Sequence, residues 1–258
     1  MIPKIIHYCW FGGKPKPELA VKCINSWKKY CPDYKIVEWN EDNFDINCCD
    51  YVRDAFKEKK WAFITDYVRL FALVNRGGIY MDTDVEVVKP LDKYLSHTAF
   101  SGFQTEDSIQ TGLLACEKGY QGFKDLLDEY SARSFYKPDG TLNDTPNPVY
   151  FTDYYIKKGL KLNNHKQKVA GFALYPIDYF CAKSYLSGKI ERTKNTVTIH
   201  HFAGSWFDEK TLKRSKAQHF CYSHLGIFAG AGFFVYRLFA ALTDPQKLGS
   251  VIRNRLKK

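Results

Sequence analysis

The stretch from Asn75 to Val88, Asn-Arg-Gly-Gly-Ile-Tyr-Met-Asp-Thr-Asp-Val-Glu-Val-Val, constrains this chain most. Upstream, Phe63, Tyr67, Leu70, Phe71 and Val74 recur at helical spacing, so a core-facing helix should end at the Gly77-Gly78 pair. A short apolar strand follows and runs straight into Asp82 and Asp84. In extended backbone, residues i and i+2 point to one side. The two carboxylates can therefore converge on one point. A hard divalent cation held there would accept oxygen ligands, with a substrate's phosphates completing its shell.

Other segments give this corner its setting. Lys4 to Phe11 reads as a buried strand ending at Gly12-Gly13, and Pro17 to Tyr30 as a helix carrying Leu19, Cys23 and Trp27 on one face. Tyr34 to Trp39 reads as a second strand and Asp50 to Lys59 as a polar helix. After Asp84 come strands at Val85 to Val88 and Ala99 to Phe103, then a helix from Gly119 to Arg133. Lys137 to Pro148, rich in Pro, Asp, Asn and Gly, reads as a surface loop or lid. A helix at Val149 to Lys158 and a late strand at Val197 to Phe202 are expected, and residues 208–258 read as helical and basic. The β-α-β-α order of the first half predicts an α/β fold, a mainly parallel sheet flanked by helices. No internal repeat or low-complexity segment interrupts it.

The chain has 258 residues, enough for one large α/β domain with an appended helical piece. Its formal net charge is +10, which suits phosphate ligands, anionic lipid or nucleic acid. The basic residues are spread out, densest only in Arg253 to Lys258, and neither zinc-finger spacing nor an RNA-recognition signature occurs, which argues against sequence-specific nucleic-acid binding. Aromatics reach 16%, a proportion that a large core accounts for first. The eight cysteines, at 9, 23, 31, 48, 49, 116, 181 and 221, form no Cys-x-x-Cys. With a strand-like rather than signal-like N-terminus, they read as reduced thiols, and the protein as cytoplasmic. The most apolar window, Leu225 to Leu242, is interrupted by Arg237 and is not a spanning helix.

Four constellations can carry chemistry. Asp82-Thr83-Asp84 is a weak motif alone, but a strand's carboxyl end is where open α/β sheets bind ligands. Asp66 and Arg69 lie three apart on the preceding helix. They form either an ordinary surface ion pair or a sugar- and phosphate-binding pair, since the guanidinium fork suits oxyanions. His7-Tyr8-Cys9-Trp10-Phe11-Gly12-Gly13 places a Trp at a strand end, as a core residue or as a platform for a nucleobase. Ile199-His200-His201-Phe202-Ala203-Gly204-Ser205-Trp206 offers a metal-ligating His or a structural His pair.

Together these four motifs resemble the Asp-x-Asp-containing retaining glycosyltransferases of family thirty-two, which includes the yeast initiating mannosyltransferase and many bacterial capsular polysaccharide transferases. The matching pieces are Ile2 to Gly12, Ala62 to Arg69, Gly77 to Asp84 and Ile199 to Trp206. The likeness is dense over residues 1–105, thin from 115 to 195, and absent from the last 40 or so.

The resemblance implies a GT-A-type nucleotide-sugar-binding fold with a helical C-terminal extension: residues 1–207 as catalytic domain and 208–258 as extension. It implies a nucleoside-diphosphate sugar donor, a uridine-diphospho hexose or N-acetylhexosamine before guanosine-diphospho mannose, and a divalent cation, Mn2+ or Mg2+. It places Trp10 near the base. Asp66 and Arg69 would meet the donor sugar, and Tyr80 and Asp82 ribose and sugar. Gln110 would contact the sugar, and Ser205 and Trp206 would close over the diphosphate. Asp84 would be the main metal ligand, helped by Asp82 and by His200, the His six residues before the Trp; Asp82, Asp84 and Arg69 would be catalytic. The acceptor would be a glycan or lipid-linked glycan, in capsule or exopolysaccharide synthesis. The apolar, glycine-rich stretch from Leu225 with its basic flank could place residues 222–258 on the inner face of the cell membrane, or pack on the core or a second copy. Two rivals are a metal-dependent sugar nucleotidyltransferase, for which Gly12-Gly13-Lys14-Pro15 makes a poor phosphate loop, and a non-catalytic nucleic-acid-binding protein.

Overall fold

A computed structural model describes residues 1–204, 209–225 and 228–241. The chain divides into two compact units, Met1–Lys183 with Glu191–Trp206, and Ser184–Ile190 with Phe207–Lys258.

The first unit is built on an eight-stranded sheet of order β2-β1-β3-β7-β5-β9-β8, with β6 paired to β5. It begins β1 (Ile5–Cys9), α1 (Glu18–Tyr30), β2 (Lys35–Trp39), α2 (Asp50–Lys57), α3 (Trp61–Arg76) and β3 (Gly78–Met81). β2 and β3 both lie parallel to β1, because helices carry the chain back between them. There follow β4 (Val85–Val87), a short 3-10 turn, β5 (Ala99–Thr105), β6 (Ser108–Ile109), β7 (Leu113–Cys116), α4 (Gln121–Ser131) and α5 (Asn147–Lys157). β8 (Gln167–Val169), β9 (Phe172–Tyr175), α6 (Ile177–Phe180) and β10 (Thr198–His200) complete the unit. The pairings make β2, β1, β3, β5 and β9 run one way and β7, β6 and β8 the other. The α/β class expected from the sequence is found, with the sheet mixed rather than parallel throughout.

Strand alternation divides the core between the two faces. Ile79 and Met81 pack with Trp27, Leu91 and Phe180 on one face, while Tyr80 packs with residues of α3 and α4, such as Tyr67 and Phe123, on the other. Gly77 ends α3 with φ +66, its N–H donating to Leu73 O at 2.8 Å. A Cβ there would lie 2.6 Å from Lys118 N, so the cap position and the close packing both require glycine.

The Lys137–Pro148 loop is irregular up to Pro146, where α5 begins at Asn147 with Pro148 in its first turn. The sequence pattern predicts none of β6, β7, β8, β9 and α6. β7 is four fully buried residues with no polar alternation to mark it.

The second unit carries α7 (Glu209–His224) and α8 (Ala229–Ala241). Among the described residues no helix is long and apolar enough to cross a membrane.

Candidate active site

The carboxyl end of β3 assembles the site. Tyr80 and Asp82 share a strand face, and the Tyr80 hydroxyl donates to Asp82 Oδ1 at 2.7 Å. Asp82 N–H donates to Gly112 O at 2.8 Å, and Val85 N–H to Asp82 O at 3.0 Å, which turns the chain at Thr83-Asp84 and launches β4.

β4 pairs antiparallel with β10, setting His200 opposite Val85 and Ile199 opposite Glu86. That register brings His200 to Asp84, with Nε2 3.3 Å from Oδ1. Asp84 also accepts from Ala203 N–H at Oδ2, 2.7 Å, and its backbone carbonyl accepts from His201 N–H at 2.9 Å. His201 points elsewhere, with Nε2 2.8 Å from Glu86 Oε2, a carboxylate that also pairs with Lys22. The geometry thus separates the adjacent histidines: His200 joins the aspartates and His201 holds the ribbon.

Asp82, Asp84 and His200 each offer a ligand atom, and these atoms lie within 4.8 Å of one another. Two carboxylates and an imidazole form a donor set that suits a divalent cation. The site is also shaped for one. His200 is buried, with Asp84 and the Cys181 thiol as side-chain partners. A Cβ on Gly112 would lie 2.6 Å from His200 Cε1 and 3.1 Å from Asp82 Oδ2, so a bare backbone is what lets ring and carboxylate close together. Burial raises the Asp84 pKa, but the charge and hydrogen bond of His200 outweigh it and hold the carboxyl down at about 2. Burial lowers the His200 pKa, and Asp84 overcomes this to lift it well above the imidazole range. The two shifts describe one ion pair.

Asp66 and Arg69 come together beside this cluster, Nη2 to Oδ1 2.9 Å, and both are buried. This is not a surface pair. Arg69 also donates from Nη1 to Thr111 O at 2.6 Å and lies 3.5 Å from Asp82 Oδ1, with its guanidinium over the Tyr80 ring. It ties α3, β3 and the strand-end loop into one block. Burial pushes Asp66 up to about 6, against the pull of Arg69.

Among the described residues, Trp10 and Gln110 make no hydrogen bond to this cluster. Half-buried Trp10 donates from Nε1 to Lys14 O at 2.6 Å, with the Lys16 ammonium 5.6 Å from its ring centroid. Gln110 is fully buried, and its side-chain amide has no partner among the described residues. Ser205 and Trp206 lie outside the described residues. Sequence reasoning did not single out Gly112 for the cation site. The glycine in Ile109-Gln110-Thr111-Gly112 was the one available signal for it.

An α/β sheet whose Asp-x-Asp pair caps an internal strand is the GT-A-type arrangement that the resemblance implies. Residues 17–101 match the family described as "Glycosyltransferase sugar-binding region containing DXD motif". The matched stretch includes Asp82-Thr83-Asp84. Inositol phosphoceramide mannosyltransferase 3 of Schizosaccharomyces pombe is 30% identical over 123 residues, 46% of this chain and 34% of that protein. Mannosyl phosphorylinositol ceramide synthase CSH1 of Saccharomyces cerevisiae is 24% identical over 185 residues, 69% of this chain and 49% of that protein. The chain therefore spans between a third and a half of the length of these curated relatives. A solved structure described as PaToxG Glycosyltransferase overlaps with a TM-score of 0.47 and 19% identity, over 61% of this chain and 70% of that one, a partial likeness on which no role is based.

Proposed function

We propose that this protein is a metal-dependent retaining glycosyltransferase that moves a hexose from a nucleoside-diphosphate sugar to a glycan or lipid-linked glycan. The observation that carries the reading is the convergence of Asp82, Asp84 and His200 at the carboxyl end of β3. A bound Mn2+ or Mg2+ would neutralise charge on the donor's diphosphate. Asp82, Asp84 and His200 would hold it. Asp66, kept in place by Arg69, would accept hydrogen bonds from sugar hydroxyls. Gln110 would add a further polar contact, and Trp10 would stack on the base. Ser205 and Trp206 would close over the diphosphate.

The reaction we propose is same-face attack. The acceptor oxygen bonds to the anomeric carbon as the bond to the diphosphate breaks. The electron pair leaves on the phosphate oxygen, and the acceptor's proton passes to that oxygen. Trapping a glycosylated Asp or Glu side chain would refute it.

One relative is named a mannosyltransferase and the other a mannosyl phosphorylinositol ceramide synthase, which supports a mannosyl donor ahead of the uridine-diphospho sugars placed first on sequence alone. Their names also refer to inositol phosphoceramide, which supports a lipid-linked acceptor more than a capsule repeat unit.

Residues 1–207 form the catalytic domain in this reading and 208–258 an extension whose segment 222–258 touches the cytoplasmic face of a membrane. Exposed Phe228, within that segment, supports the contact. Residues 226–227 and 242–258 of this segment lie outside the described residues.

Incubation with Mn2+ and single nucleotide sugars, followed by assay of released nucleoside diphosphate, tests the reading. Release with one donor is expected. Release of pyrophosphate instead would favour a nucleotidyltransferase, and no release with any donor a binding protein.

A further inference from the structure

A cation site of this kind leaves a charge deficit. Asp82 and Asp84 already offset part of a divalent ion's charge, so the ion alone compensates only part of the charge on the donor's diphosphate. Arg69 is poorly placed to supply it. Its Nε donates to Thr65 O at 3.3 Å, Nη1 to Thr111 O at 2.6 Å, and Nη2 faces Asp66 at 2.9 Å and Asp82 at 3.5 Å. Its side chain is 6% exposed, and two carboxylates already offset its charge.

Lys183 is differently placed. It follows the buried Cys181-Ala182 pair after α6, and its Nζ donates to His201 O at 2.5 Å. His201 in turn donates its N–H to Asp84 O at 2.9 Å, so the ammonium is linked to the cation site through one residue. The Asp84 carboxylate is near enough to draw the Lys183 pKa upward, against the larger effect of burial, which lowers it. Among the described residues Nζ makes that one hydrogen bond and no salt bridge, which leaves two N–H donors. A half-buried ammonium beside a cation site with donors to spare is a point charge suited to phosphate.

We propose that Lys183 contacts the β-phosphate of the sugar nucleotide and offsets the negative charge that builds there as the sugar departs. The assignment rests on the glycosyltransferase reading above. The bond between the anomeric carbon and the β-phosphate oxygen breaks, its electron pair stays on that oxygen, and the ammonium donates a hydrogen bond to the phosphate without giving up its proton. Because the charge is greatest in the transition state, Lys183 acts on turnover more than on ground-state binding.

The test uses the full chain with Mn2+, UDP and GDP, and their monophosphates, read by tryptophan fluorescence. For whichever nucleotide binds, Lys183→Met should weaken the diphosphate about tenfold, the effect of one lost charged hydrogen bond, and leave the monophosphate unchanged. Lys183→Arg should restore most of that loss. With the active sugar nucleotide, kcat for Lys183→Met should fall about a hundredfold, as for other lost donors to a developing anion. Equal weakening of mono- and diphosphate would indicate a merely structural side chain and overturn the proposal, as would unchanged diphosphate affinity. Failure of the wild-type protein to bind either diphosphate would instead overturn the glycosyltransferase reading, and Lys183's role with it.

Discussion

Asp84 and His200 face one another across the β4–β10 ribbon, with carboxylate oxygen and ring nitrogen 3.3 Å apart. They are brought together by strand register and not by proximity in the chain. The imidazole ligand of the candidate cation site therefore depends on β10 pairing with β4 at that one register. A slip of one residue would exchange His200 for His201.

Asp84→Asn should reduce transfer at least about a hundredfold, because a neutral amide is a poor ligand for a hard cation. The fold should survive, since Ala203 N–H can still donate to the amide oxygen. Donor turnover and the circular dichroism spectrum, measured on the same preparation, check both points.

Much of this corner was legible in the sequence, and the reasons are local. Apolar residues before Asp82 and Asp84 mark a buried strand, the i, i+2 spacing fixes their common side, and Gly77 marks the helix end. Asp66 and Arg69 were legible as neighbours but not as a buried strut, since spacing carries no information about burial. The choice between His200 and His201 came from the family pattern, whereas its physical cause is a pairing across more than a hundred residues that no window of sequence displays. Lys183 approaches the site by the same kind of long-range route. β7 stayed hidden because short, fully buried strands lack a period.

Gly112→Ala should damage the cation site while sparing most of the sheet. The new methyl would have to push aside the His200 ring, 2.6 Å from Cε1, or the Asp82 carboxylate. An overpacked core position of this kind costs about 1–3 kcal/mol. Mn2+ affinity should fall about tenfold, the usual effect of disturbing a ligand's support. Calorimetric titration with Mn2+ and thermal unfolding separate the two effects.

Arg69→Met should destabilise the protein by about 3 kcal/mol, because Asp66 and Asp82 would lose their shared counter-charge in a buried setting. Adding Asp66→Asn should recover part of that loss by removing the stranded carboxylate. Urea unfolding of the two single variants and the double variant measures the coupling.

His7 should make the fold sensitive to mild acid. Its Nε2–H donates to Gly77 O at 2.9 Å, and its Nδ1 accepts from Trp39 Nε1–H at 3.2 Å, so the buried ring is neutral. Burial lowers its pKa to about 4, from 6.5. Between those values the unfolded chain binds a proton that the folded chain refuses, so stability falls as pH falls through that window. The loss at pH 5 is about 2 kcal/mol relative to pH 7. Urea midpoints at both pH values for wild type and His7→Gln check it, since the variant should lack this part of the decline.

The most direct measurement is a Mn2+ titration followed by electron paramagnetic resonance, on wild type, Asp84→Asn and His200→Ala, with and without UDP or GDP. Expected is one ion bound by the wild type, more tightly once a nucleoside diphosphate is added, with affinity lost about tenfold or more in each variant. Wild-type affinity and stoichiometry in both variants would contradict a cation site made by Asp82, Asp84 and His200.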